Sequence, residues 1–432
     1  MTMLGEIPAI LRLMAVFVVV LFAIRKRVSL GNAFLVGAVI MGVIFGLDLA
    51  SMITSMIASV VYPKTLSLAV IVSLILVLSG SMESSGHMKR MLERFLGLLK
   101  SQRLNMVMFP ALIGLLPMPG GAIFSAPMVK ELGARTRLEA HHQSYVNYWF
   151  RHIWEYWWPL YPGVLLTVTM AGIDLWVFVL FLFPLTVVAL LIGYQPIRGY
   201  IDPGDSGNAI VRPSPVPFIR QLIPILIVIV LGLGLGLVLT RLIPALTIAQ
   251  ETGLILALCV SIVWVWGVNR MTWGEIRKVV VNRSLLGMIF MVFAILIFQG
   301  ILEDSHAVEA ITSELTRLRI PMVLITVILP FLVGSVVGIT IAFVGSTFPI
   351  LIALLSAYGE MHFLLPYLML ALVSGFVGVL LSPLHLCLLL SNRYFSASLF
   401  SVYRLLWLPA LTILLAALLY FSVARYLAHV IL

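Results

Sequence analysis

Charged residues are scarce in this sequence of 432 residues, where Asp, Glu, Lys and Arg together make up 10%. Soluble globular domains carry about 25%, so this composition excludes an ordinary soluble protein. Hydrophobic residues make up 62% and are grouped in long apolar runs. The sequence therefore predicts an all-α protein that crosses the membrane many times.

Several kinds of chemistry lack the residues that they require. The two cysteines, Cys259 and Cys387, lie far apart in separate apolar runs, which excludes a disulfide framework. There is no G-x-x-x-x-G-K-[ST] loop for ATP and no H-E-x-x-H pair for zinc. We therefore expect no enzyme, no cofactor and no resident metal, apart from a coupling ion such as Na⁺ or H⁺.

Basic residues are in excess, with a net charge of +10. They occupy short loops between apolar runs, and the positive-inside bias explains them without a nucleic-acid partner. When the loops are assigned to alternating sides, one side receives 20 of the 27 Lys and Arg residues. That side is predicted to be cytoplasmic, which places both termini outside.

Ten apolar runs are predicted to cross the bilayer. Two further segments, residues 105–129 and 322–355, consist of shorter apolar runs around Gly- and Pro-rich turns. A dozen helical residues rise about 18 Å, whereas the hydrocarbon core is about 30 Å thick. We interpret both segments as re-entrant hairpins, the first entering from the cytoplasm and the second from outside. The ten predicted spans are residues 8–24, 30–55, 65–82, 144–170, 175–194, 222–240, 253–268, 284–301, 362–390 and 405–424.

Short matches recur in the two halves at a nearly constant offset. We therefore predict a first repeat at residues 1–194, a linker at 195–217 and a second repeat at 218–432. Five spans and one hairpin give each repeat an odd number of crossings, so the repeats are predicted to be inverted. The matches are Gly80, Glu83 and Ser85 with Gly300, Glu303 and Ser305; Pro110 and Gly114 with Pro330 and Gly334; and Pro159 with Pro383.

The two hairpin turns and two spans that contain proline supply the candidate binding site. Glycines let the backbone approach a ligand, and hydroxyls and amides can bind an ion or an anion. Local helix capping and packing are the alternative roles for these residues. The candidate substrate-binding residues are Pro119, Gly120, Gly121, Ser125, Asn147, Arg151, Thr340, Gly345, Ser346, Thr347 and Ser382.

Arg151 lies well inside a predicted span, where a charge is costly and therefore indicates function. Its guanidinium suits a carboxylate or another oxyanion, and an ion pair with Glu155 is the structural alternative. His152, Glu155 and His385 are candidates for carrying a coupling proton or cation, with structural hydrogen bonding as their alternative role.

Three stretches, LPMPGGAIFSAPMV (116–129), NYWFRHIWEYWWPLYPG (147–163) and SPLHLC (382–387), resemble a prokaryotic membrane family called domain of unknown function 401. That family is grouped with gluconate, citrate, C4-dicarboxylate and sodium/proton carriers in the ion-transporter superfamily. The resemblance implies an elevator-type carrier of the prokaryotic inner membrane, dimeric through its scaffold helices. The Ser-Asn-Thr hairpin signature of the sodium/dicarboxylate relatives is absent.

These observations predict a secondary active transporter of a small, organic anion, coupled to Na⁺ or H⁺. The anion is expected between the hairpin turns and the two broken helices. Two alternatives remain. One is a membrane-embedded enzyme that uses His152 and Glu155 on a lipid-linked substrate, and the other is a passive channel.

Overall fold

The computed structural model describes residues 7–26, 28–96, 98–99, 101–118, 120–134, 136–200 and 214–431. Every regular element in these ranges is helical, which confirms the predicted all-α class. Pro119 and most of the predicted linker lie outside the described residues.

The described residues of the first half form eleven α-helices. They are α1 (Ala9–Arg25), α2 (Leu30–Phe45), α3 (Leu49–Val61), α4 (Pro63–Ser84), α5 (His87–Phe95), α6 (Gln102–Gly114), α7 (Ala122–Gly133), α8 (Ala140–His152), α9 (Pro162–Ala171), α10 (Leu175–Leu182) and α11 (Pro184–Tyr194), followed by a short 3₁₀ helix at Gln195–Tyr200.

The second half forms ten α-helices within residues 214–431. They are α12 (Val216–Leu242), α13 (Ala249–Val268), α14 (Trp273–Val280), α15 (Arg283–Asp304), α16 (Ala307–Arg317), α17 (Met322–Val337), α18 (Thr340–Ala357), α19 (Leu364–Leu380), α20 (Leu386–Phe395) and α21 (Leu399–Ile431), with a 3₁₀ turn at Met361–Phe363 before α19.

Eight helical stretches within the described ranges are long and apolar enough to cross a membrane. The chain is therefore a multi-pass membrane protein. One of the eight is α18, which the sequence analysis had assigned to a hairpin that does not cross. The stretches are Pro63–Ser84, Leu175–Tyr200, Val216–Leu242, Ala249–Val268, Trp273–Asp304, Thr340–Ala357, Met361–Leu380 and Leu399–Ala428.

The predicted span at residues 30–55 is wrong as a single helix. Helix α2 ends at Phe45, because Gly46 adopts a left-handed conformation with φ of +88°. The Asp48 side chain then accepts hydrogen bonds from the backbone N–H groups of Ala50 and Ser51 and starts α3. An acidic N-cap just after a glycine C-cap divides this apolar run into two helices.

Each segment predicted as a hairpin or as a broken helix consists of two consecutive helices. Helices α6 and α7 pack against each other, as do α17 and α18. The predicted span at 144–170 consists of α8 and α9, and that at 362–390 consists of α19 and α20. Four interruptions of helical structure are therefore available to form a site.

Candidate functional site

Each hairpin turn depends on a glycine with a positive φ. In the first turn, Gly120 has a φ of +70°, and in the second, Gly338 has a φ of +71° at the C-terminal end of α17. Side chains other than glycine are strained in this left-handed region. The second turn is short, because Thr340 already begins α18. Gly345, Ser346 and Thr347 consequently lie inside α18 and not at the turn, where the sequence analysis had expected them.

Proline is present at both helix breaks. Helix α8 ends at His152, and α9 begins with Pro162 in its first turn, where the missing N–H is harmless. Between α19 and α20, residues 381–385 include Pro383, which cannot donate the hydrogen bond that would continue a helix. The chain therefore leaves helical structure twice more.

Aromatic side chains connect these interruptions. The Tyr161 hydroxyl donates to the carbonyl of Gly114 at 2.7 Å, at the end of α6. The Tyr148 hydroxyl donates to the carbonyl of Leu380 at 3.0 Å, at the end of α19. These bonds satisfy carbonyls that lack a partner within their own helices and hold the breaks beside one another.

The two turns and the two breaks converge on one cavity of about 300 Å³. Helices α4 and α15 form its remaining wall. It is lined by Pro117, Met118 and Gly120 from the first turn, Gly338, Ile339, Thr340 and Ile341 from the second, Arg151, His152, Glu155, Tyr161, Pro162 and Gly163 from the first broken helix, Leu384, His385, Leu386 and Cys387 from the second, Val72, Ile75 and Leu76 from α4, and Met288, Met291 and Val292 from α15.

Arg151 is buried in the wall of this cavity, with 2% of its surface exposed. Its Nη2 donates to the carbonyl oxygen of Met118 at 2.9 Å. Its Nε and Nη1 have no hydrogen-bond partner among the residues that the structure describes. A buried guanidinium with unused donors is costly, so this group is suited to receive an anion.

The carboxylate of Glu155 contacts Thr340 and His152 and not Arg151. Its Oε1 accepts a hydrogen bond from the hydroxyl of Thr340 in the second hairpin, and its Oε2 lies 3.9 Å from Nε2 of His152. The suggested structural role for Arg151, an ion pair with Glu155, is therefore not the arrangement found. Glu155 instead joins the first broken helix to the start of α18.

His152 and His385 face each other across the two broken helices, with their Nε2 atoms 3.0 Å apart. Nδ1 of His152 lies 2.6 Å from the carbonyl oxygen of Tyr148, and Nδ1 of His385 lies 3.0 Å from that of Gly338. Both rings are buried. His385 thus connects the second hairpin turn to the first broken helix.

Cys387 was missed as a site residue by the sequence analysis, which considered it only for a disulfide. It is a buried free cysteine that lines the cavity. Ligand atoms of His152, His385 and Cys387 all lie within 4.8 Å of one another, so these three residues could hold a metal ion. The sequence did offer one indication that Cys387 belongs to the site, because Cys387 lies two residues after His385, just past a helix break.

Several predicted site residues do not line the cavity. Ser125 donates to Asn147 Oδ1 at 2.6 Å, and Asn147 Nδ2 donates to the carbonyl oxygen of Ala122 and to Ser391 Oγ, each at 2.9 Å. These bonds tie α7, α8 and α20 together. Both the oxygen and the nitrogen of the Asn147 side-chain amide are therefore occupied by protein partners.

Four other predicted substrate-binding residues do not line the cavity either. Ser346 and Thr347 donate to carbonyls of their own helix, to Ala342 at 2.8 Å and Phe343 at 2.7 Å. Ser382 Oγ accepts from the backbone N–H of Leu384 at 3.3 Å and so shapes the second break. A Cβ at Gly345 would lie 2.3 Å from Ile295 of α15, which makes this glycine a packing contact. Of the predicted substrate-binding residues, Gly120, Arg151 and Thr340 line the cavity.

The chain belongs to the family described as Protein of unknown function (DUF401), which it matches over residues 8–423. This match confirms the family resemblance noted from the three motifs. No curated protein matches the chain. The function is therefore argued from the site itself.

Proposed function

We propose that this DUF401 member is a secondary active transporter of a small organic anion, coupled to Na⁺ or H⁺. The observation that carries the proposal is the buried guanidinium of Arg151, with Nε and Nη1 unpaired in the wall of the cavity. A carboxylate or other oxyanion can accept from both donors of such a fork. A cavity of about 300 Å³ is at the lower limit of ligand pockets, which favours a small molecule.

The position of the site also supports transport. Anion carriers often bind substrate where discontinuous helices meet, because helix ends supply unpaired N–H groups and partial charges. Here α18 begins at the cavity with Thr340, and α7 begins two residues after Gly120, which lines the cavity. Their N-terminal N–H groups add positive potential to that of Arg151.

The two halves are proposed to be inverted repeats. Helix α4 spans Pro63–Ser84 and α15 spans Arg283–Asp304, an offset of 220 residues at both ends. The short helix before each, the amphipathic helix after each and the following hairpin occur in the same order. Helix α2 packs against α15 and α13 packs against α4, the reciprocal contacts that a twofold relation between repeats requires.

Alternating access is proposed to follow an elevator mechanism. The hairpins and broken helices are the candidate mobile unit, because they hold one another through Arg151, Glu155 and His385. Helices α4 and α15, which close the cavity from the other side, belong to the candidate scaffold. Dimerisation through that scaffold remains an expectation from the family resemblance.

The first test is ligand binding. Purified protein would be melted in the presence of a panel of carboxylates, phosphonates and sulfonates, each with and without Na⁺. A ligand that stabilises the wild type should not stabilise Arg151→Gln. Arg404→Gln, on an exposed residue of α21, is the matched control and should respond like the wild type.

The second test is flux of that ligand into proteoliposomes. Saturable uptake that follows an imposed Na⁺ or pH gradient, and that is lost in Arg151→Gln, is the expected result. Flux that does not saturate would instead indicate a channel. Chemical conversion of the ligand without a gradient would indicate an enzyme and overturn the proposal.

A further inference from the structure

The two buried histidines are held in tautomers that conflict with each other. A carbonyl oxygen only accepts hydrogen bonds, so Nδ1 of His152, beside the Tyr148 carbonyl, and Nδ1 of His385, beside the Gly338 carbonyl, both carry the proton. In the neutral rings, both Nε2 atoms are then acceptors. The two Nε2 atoms lie 3.0 Å apart, and two acceptors that face each other require a cation or a shared hydrogen-bond donor between them or beside both.

The surroundings supply further donors for such a cation. Cys387 places its sulfur within 4.8 Å of ligand atoms of both histidines. Glu155 Oε2 lies 3.9 Å from Nε2 of His152. Two imidazole nitrogens and a sulfur, with a carboxylate nearby, form a donor set typical of zinc and related borderline divalent ions.

We propose that His152, His385 and Cys387 bind a divalent metal ion of the zinc class, a site that lies in the wall of the cavity. The Nδ1–H bonds to backbone carbonyls are the outer-shell contacts that fix the tautomer and orientation of metal-binding histidines. The ligands come from α8 and from the start of α20, so the metal ion joins the two broken helices. Glu155 and the cavity lie beside these ligands.

Metal binding at this site releases one proton from the protein. The Cys387 thiol becomes a thiolate as the metal–sulfur bond forms, and its proton passes to solvent. The metal thiolate then carries one positive charge, as does Arg151, against one negative charge on Glu155. The site with metal is therefore net positive, which favours an anion in the cavity. This last consequence depends on the proposed function, whereas the metal site itself does not.

The test uses Co²⁺ as a spectroscopic probe and Zn²⁺ as its competitor, with full-length protein purified through a tag that contains no histidine. Expected results for the wild type are one Co²⁺ per chain, a thiolate-to-cobalt charge-transfer band in the near ultraviolet, and loss of that band when Zn²⁺ is added. Metal bound only to surface histidines gives no thiolate band.

Three variants locate the site. Cys387→Ser should abolish the charge-transfer band, and His385→Gln should weaken Co²⁺ binding by more than the 10- to 100-fold that loss of an outer-shell partner costs. Cys259→Ser, which removes the other, exposed cysteine, should leave both unchanged. Gel filtration and melting without metal show whether each variant is folded.

Two results would overturn the metal site. One is a wild-type protein that shows no thiolate band at saturating Co²⁺, in which case a shared proton is what separates the two Nε2 atoms. The other is a band that survives Cys387→Ser and disappears in Cys259→Ser. Neither result depends on transport. The test of anion binding with Arg151→Gln is therefore independent of the test of the metal site.

Discussion

The guanidinium of Arg151 lies directly against the backbone of Gly121. A Cβ added at Gly121 would come within 2.4 Å of Nη2 and 2.6 Å of Cζ. The absence of a side chain at the end of the first hairpin turn is therefore what allows Arg151 to reach the cavity and donate to Met118. The space beside Gly121 is therefore occupied by the side chain of Arg151 and not by a ligand.

Gly121→Ala should therefore displace Arg151. The added methyl cannot fit unless the guanidinium leaves the Met118 carbonyl, so ligand-induced stabilisation should fall about as far as in Arg151→Gln. Melting curves with and without a ligand found in the screen of carboxylates, phosphonates and sulfonates measure this loss. Gly267→Ala, where a Cβ would meet nothing within 4 Å, is the control, and equal ligand responses in the two variants would contradict the prediction.

Arg151→Lys should retain the charge but lose the planar fork. Lysine offers a point charge and not paired N–H groups, so one charge-assisted hydrogen bond to the anion is lost, worth about 1.5–3 kcal/mol. That corresponds to a Kd about 10- to 150-fold higher. Isothermal titration measures it, and an unchanged Kd would show that charge alone binds the ligand.

Gly163→Ala should loosen the second hairpin. A Cβ at Gly163 would lie 2.5 Å from Cγ2 of Thr340, which pushes Thr340 away from Glu155. Hydrogen exchange at residues 338–345 should become faster, and the rate of uptake should fall.

A second substitution, at Thr340, should reverse the effect of Gly163→Ala. Thr340→Ser removes Cγ2 and keeps the hydroxyl, so the Gly163→Ala, Thr340→Ser double variant should regain wild-type exchange. If the double variant exchanges as fast as Gly163→Ala alone, the contact with Cγ2 is not the cause.

Asn147→Ala should destabilise the protein without changing which anion binds. It leaves Ser125 and the Ala122 carbonyl without their buried partner, at a cost of about 1–3 kcal/mol for each unsatisfied group. Denaturant unfolding in detergent measures the loss. Asn32→Ala, on an exposed position of α2, should unfold like the wild type, and a selective loss of ligand binding in Asn147→Ala would instead place Asn147 in the binding site.

The Asp48 cap should make stability depend on pH. Hydrogen bonds from the hydroxyl and the backbone N–H of Ser51 hold the pKa of Asp48 below its usual range in the folded protein. A lowered folded pKa means that this contribution is present above the unfolded pKa and is lost as the pH falls through the folded pKa. The difference in Tm between the wild type and Asp48→Asn should therefore shrink as the pH falls from 6 to about 3, and a constant difference would exclude this cause.

The boundaries of several elements could be predicted because their causes are local. Pro162 begins α9 and Pro383 lies in the break between α19 and α20, since proline lacks an N–H and is tolerated in the first turn of a helix better than in its interior. Gly46 and Asp48 were equally local indications of a helix end and a helix start. The error at residues 30–55 came from giving hydropathy precedence over this capping pair.

The roles of individual side chains could not be predicted in the same way. Thr340 and Ser346 lie in the same buried helix, yet Thr340 lines the cavity and Ser346 bonds to its own helix. A helix that is apolar on all sides has no periodicity that reveals which face meets a cavity.

The sequence by itself determined the membrane class, the first hairpin turn, the presence of the helix breaks and the burial of Arg151, because scarcity of charge and the positions of Pro and Gly act over a few residues. Only the tertiary structure decided that Glu155 bonds to Thr340, and that His152 meets His385 from 233 residues away. Contacts at such separations depend on how whole helices pack, and hydropathy and spacing along the chain carry no record of that packing.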